Sequence, residues 1–69
     1  MQTKELDVVE LMVGVGRWPA GTIATVVEIF PAAVLVEIAD ARGHSKDFVT
    51  LPHTVFRTVG THDEEHGET

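Results

Sequence analysis

The residues with the most obvious chemical potential lie at the C-terminal end. His62 and His66 stand four apart and bracket Asp63, Glu64 and Glu65. On a helix the two imidazoles would share a face and could hold a divalent transition metal. The spacing is not that of a zinc protease, which needs a glutamate directly after the first histidine. The stretch also lacks an apolar face, and a short unsupported helix is marginal in water. It therefore reads as a solvated acidic tail, and no metal site is assigned. Ser45 is the only serine, with His44 beside it and His53 further on. Neighbouring strand residues point to opposite faces, so His44 is badly placed as a base for Ser45. No glycine-rich elbow surrounds the serine, no set of nucleophile, base and oxyanion donors converges, and the chain reads as no enzyme, with no catalytic residue and no cofactor. Glu28 and Glu37 would repel if directly opposite on neighbouring strands, and they read as solubilising groups on an outer face.

Arg17, Arg42 and Arg57 raise the question of a phosphate or RNA patch. Five basic residues scattered over 69, with three Phe and one Trp, make a poor nucleic-acid platform. They read as solvated surface arginines. Trp18, the only tryptophan, sits in a Gly- and Pro-rich loop beside Arg17. One reading makes it a plug for the end of its own small barrel, removing much apolar area from water. The other makes it an interface anchor, where aromatic residues are enriched. A half-exposed ring would serve both.

The composition narrows the class. A chain of 69 residues is one domain with a small core. It has no cysteine, so neither a disulfide nor a thiolate metal site can staple that core. Packing must hold it, helped by a partner or by self-association. No stretch approaches a membrane span and no signal peptide is evident, so a cytoplasmic protein is expected. The net charge is −6, from 11 acids and 5 bases. Four of those acids fall in residues 61–69, which hold no Lys or Arg, while residues 1–60 carry only −2. An acidic tail on a nearly balanced body favours a basic protein partner, mainly through association rate.

The elements that must position these residues are strands. Gly21 to Phe30 is dominated by β-branched residues and punctuated by Gly21 and Pro31, which makes it the central strand. Simple alternation puts Ile23, Thr25, Val27 and Ile29 on one face and Ala24, Val26, Glu28 and Phe30 on the other. Leu6 to Val13 precedes it as a first strand, stopped by Gly14 and Gly16. Val34 to Ala39 is its antiparallel partner, with Val34, Val36 and Ile38 toward the core and Glu37 outward. Asp40 to Gly43 is a hairpin turn in which Gly43 takes positive φ. His44 to Thr50 returns as a polar edge strand. Leu51 to Thr54 is a helical turn or tight bend, and Val55 to Val59 is the last strand. Five short strands, a long first loop and a turn before the last strand predict an all-β fold: a small SH3-like five-stranded barrel over residues 1–60. Residues 61–69 form a disordered acidic tail.

Asp7-Val8-Val9-Glu10-Leu11, Gly21 to Glu28, Val36 to Gly43 and Val49-Thr50-Leu51 together resemble a bacterial family of short SH3-like proteins classed as a domain of unknown function. Its members show an Asp-Val-Val start, a Gly-x-x-Gly-Thr-Val-Val-Glu strand, a Val-Glu-Phe-x-Asp-x-x-Gly hairpin and a Thr-Leu near the end. The resemblance covers residues 6–59. Ala24 stands where the family has its second glycine, and Val34 and Leu35 fill a stretch that is usually aromatic. The pattern is also similar to the small barrels of translation and transcription factors and of nitrile hydratase subunits, so it is a signature of fold before function.

The family resemblance implies the small partner in a two-gene operon, some members being antitoxin-like. The expectation is a non-catalytic protein-binding module, an antitoxin-like or immunity-like partner of a bacterial toxin or enzyme. Arg17 and Trp18, with Asp63, Glu64 and Glu65 of the tail, would meet a basic protein encoded nearby, and a homo-oligomer is compatible with the small core. The alternatives are a nucleic-acid-binding barrel, against which the charge speaks, and an accessory or assembly subunit of a larger enzyme.

Overall fold

A computed structural model describes residues 3–61. Five strands follow in order: β1 (Asp7–Leu11), β2 (Ile23–Ile29), β3 (Ala33–Ala39), β4 (Ser45–Pro52) and β5 (Phe56–Thr61). All neighbours are antiparallel, in one sheet of order β4-β3-β2-β1-β5. The described residues contain no helix, and so none long and apolar enough to cross a membrane.

Period-two alternation decides which side chains go inside. Val9 and Leu11 of β1, Ala24 and Val26 of β2, Val34, Val36 and Ile38 of β3, Leu51 of β4 and Phe56 of β5 form one buried cluster. Strands at opposite ends of the sheet contribute to it. No helix and no second sheet covers this face among the described residues, so the sheet must curl over its own side chains. The hydrogen-bonded ladder nevertheless stops at β4 on one side and β5 on the other. The all-β, antiparallel architecture is as the strand pattern predicts, but pairing does not close it into a ring.

Bulges bend the sheet. One falls between Val26 and Glu28, opposite β3, and inserts Val27 as an extra residue. Simple alternation would have put Glu28 on the face of Ala24 and Val26. The bulge resets the phase, so Glu28 pairs with Leu35 on the outer face and Ile29 pairs with buried Val34. A second irregularity lies between Val8 and Val9, opposite β5. Past it, Gly60 opposes Val8 and Thr61 opposes Asp7, so β5 runs on through Thr61. Thr61, the first residue of the stretch read as a tail, pairs in the sheet, and residues 62–69 lie outside the described residues.

Turns set the ends. Gly43 has φ +84°, as its hairpin position requires. Asp40 organises that turn, its Oδ1 accepting from the Arg42 and His44 N–H groups, each at 2.9 Å. β4 continues through Leu51 and Pro52, which pair with Val34 and Ala33. Proline is tolerated there because β4 is an edge strand. The bend before β5 is a tight turn closed by the Val55 N–H on the Pro52 carbonyl, at 3.3 Å, with no helical turn. Before β1, the Asp7 N–H donates to the Lys4 carbonyl and Asp7 Oδ2 accepts from the Lys4 N–H. Leu6 takes φ +72° inside this turn, a strained position for a residue with a Cβ.

Candidate functional site

The loop from Gly14 to Gly21 carries two of the residues singled out in the sequence. Val15 and Trp18 exchange both backbone hydrogen bonds, at 2.8 and 2.9 Å, making a miniature hairpin with Gly16 and Arg17 at its tip. Gly16 has φ +56° and Arg17 does not share it, the pattern of a type II′ turn with glycine first. The loop is anchored at its far end by the Gly21 N–H on the Leu11 carbonyl.

This geometry places Trp18 half-buried against the core cluster, beside Val15. Its indole N–H donates to Asp47 Oδ2 on β4 at 2.8 Å, and the Arg17 guanidinium lies 4.8 Å from the ring centroid. A loop between β1 and β2 is thereby tied to the outermost strand. The indole hydrogen bond holds the Asp47 carboxyl below the usual aspartate range; partial burial opposes this, and the Phe48 N–H and the charge of Arg17 reinforce it. Trp18 is thus packed on the core from the first loop, with its ring also engaged by Arg17.

The other expected partner-binding residues divide differently. Arg17 is exposed at the loop tip. Asp63, Glu64 and Glu65, with His62 and His66, lie outside the described residues. The arginines do not converge by strand position. Arg57 on β5 faces its cross-strand neighbour Glu10, with Nε at 3.0 Å and a terminal nitrogen at 2.9 Å from the same oxygen, and Arg42 is in the β3–β4 turn. Ser45 opens β4 and His53 follows its end, so strand geometry alone separates them by about 25 Å. His53 packs its ring against Phe56 at a centroid distance of 6.1 Å. Among the described residues no group of three or more His, Asp or Glu is placed to hold a metal.

Two surfaces were not read from the sequence. The first is a groove of about 550 Å³ beside the β2–β3 turn and β5, lined by Thr3, Ile29, Phe30, Pro31, Phe56 and the neighbouring His53 and Thr58. The second is the outer face of the sheet. Cross-strand pairing lines up Val8, Thr25, Glu37 and Phe48 in one row across β1 to β4. Glu28, Leu35 and Thr50 make the next row. Phe48 is 56% exposed and Ile23, at the near end of β2, 50%. Glu28 and Glu37 occupy different rows and do not oppose each other.

Comparison with protein-family models, with curated proteins and with solved structures finds no match to this chain.

Proposed function

We propose that this chain is a non-catalytic protein-binding module built on an SH3-like barrel, acting as a small antitoxin-like or immunity-like partner of another protein. The strand order, the long first loop, the tight turn before β5 and the single enclosed core support the barrel. They agree with the resemblance carried by Asp7 to Leu11 and Gly21 to Glu28. The observation that carries the binding role is the exposed apolar surface. Met12, Ile23 and Phe48 are each at least half exposed, and Val13, Val59 and Leu6 nearly so. A chain this small spends these apolar residues on its surface at the expense of a scarce core, which supports contact with a partner. The separation of Ser45 from His53 along β4 supports a non-catalytic role.

Co-purification of the tagged chain from its native host tests this, with nuclease treatment before elution. One protein at equal stoichiometry, retained after nuclease, is the expected result, and loss of that protein's activity in the complex would identify the inhibitory form of the role. Recovery of the chain alone would overturn the reading. RNA or DNA released by salt would replace it with the nucleic-acid-binding barrel.

A further inference from the structure

Glu37 and Phe48 are direct cross-strand partners on the outer face of β3 and β4. We propose that this pair is the receptor for an arginine side chain of a protein partner, at the centre of a docking surface formed by the outer face of β2, β3 and β4. The inference rests on the protein-binding reading and names the surface and the chemistry it recognises.

Directly opposed side chains on antiparallel strands have Cβ atoms about 5 Å apart. A planar guanidinium can then lie over the exposed Phe48 ring while its N–H fork meets the Glu37 carboxylate. Lysine offers a point charge and cannot do both equally well. The surroundings suit such a contact. Thr25 flanks Glu37 on the β2 side, and Leu35 and Val27 are half-buried on the same face, ready to take aliphatic neighbours of the arginine.

Charge decides the occupant. Glu28 and Glu37 make no ion pair among the described residues, and no Lys or Arg shares their two rows. Lys46, two residues before Phe48 on β4, is turned to Asp40 at 3.8 Å. Glu37 is already half-buried, so covering it without a cation would strand a desolvated charge. A second copy of this chain would bring the same unpaired carboxylates, on a chain of net charge −6, and a phosphate-bearing partner would be repelled. An arginine presented beside aliphatic residues satisfies both the carboxylate and the apolar surface, and arginine is enriched at interface hot spots.

Amide chemical-shift mapping of the full labelled chain tests the site. The probe is a capped hexapeptide alternating valine and arginine, compared with the same peptide carrying citrulline or glutamate. The arginine peptide should shift the amides of Thr25, Glu37 and Phe48, and citrulline should weaken binding about tenfold or more. Glu37→Gln, which keeps size and shape, and Phe48→Ala should each weaken it to a similar degree, with Trp18 emission unchanged as the check on folding. No shifts, shifts confined to the Trp18 loop or to the Ile29–Phe30 groove, or equal binding by Glu37→Gln would overturn the site. A co-purifying protein held equally well by the Glu37→Gln, Phe48→Ala double variant would also overturn it, while leaving the protein-binding reading intact. Binding of the arginine peptide at Glu37 and Phe48 by a chain that co-purifies with nothing would sustain the site and sink that reading.

Discussion

At the scale of single residues, backbone geometry separates glycines that the sequence makes look alike. Gly16 holds φ +56° at the tip of the Val15–Trp18 hairpin, and a Cβ there would touch nothing within 4 Å. Backbone strain is then the whole penalty of Gly16→Ala, about 1–2 kcal/mol. Gly60 in β5 has equally open space and no positive φ. Gly60→Ala should therefore stabilise the fold by about 0.4–1 kcal/mol, by restricting the unfolded chain. Urea denaturation followed by circular dichroism measures both, and opposite signs are expected. Gly43 was legible as a turn glycine because Asp40 and the flanking strands frame it. Asp47 was not, although a signal existed. It falls in phase with Val49 and Leu51 on the inward side of β4, where Ile38 is its cross-strand partner. A carboxylate in that phase requires a donor, and the indole of Trp18 supplies it from 29 residues away. No local pattern connects those two positions.

At the scale of elements, the Trp18–Asp47 hydrogen bond makes the first loop a strap onto β4, and its strength depends on the charge of Asp47. The folded-state pKa of Asp47 lies below its unfolded value. The stabilisation is accordingly complete above the unfolded aspartate range, near pH 4, and is lost as pH falls through the lower folded value. Trp18 is the only tryptophan and the chain has no tyrosine, so indole emission reports on the strap alone. Emission should hold constant from pH 7 down to about 4 and shift to longer wavelength below it. Asp47→Asn keeps an acceptor for the indole N–H but removes the proton that titrates, and should abolish the acid shift. An acid shift that persists in Asp47→Asn would assign it to another carboxylate. The strands themselves were legible in the sequence, since β-branched runs and glycine or proline boundaries state them directly. Their ends were not, because bulges hide within apolar runs. Val26 and Val27 are both valine, so the step that turns Glu28 outward leaves no mark in the hydropathy pattern. The extension of β5 through Thr61 depends in the same way on the irregularity at Val8 and Val9.

At the scale of the whole molecule, one sheet must both make and enclose its core. Leu51 on the β4 edge is fully buried and Phe56 on the β5 edge is 7% exposed, in the same cluster. Both free edges of the sheet are therefore held by side-chain packing, reinforced by the Trp18 strap, where a β4–β5 ladder is lacking among the described residues. Which strands pair could be guessed from a meander of short connections, but the closing of the core depends on register, which alternation alone leaves open. The consequence is a cooperative molecule with little stability to spare. At about 0.05–0.15 kcal/mol per residue, a chain of this size has roughly 3–10 kcal/mol in total. Leu51→Ala removes about 2–5 kcal/mol from one edge of the shared core, a large share of that total. Phe48→Ala, three residues earlier on the same strand but outward and 56% exposed, should cost under about 1 kcal/mol. Because Trp18 packs on the cluster that Leu51 fills, indole emission and far-ultraviolet dichroism should report one coincident transition in both variants. Separate transitions in Leu51→Ala would mean that the β4 half of the sheet melts while β1, β2 and β5 persist, and the core would then be two weakly coupled halves.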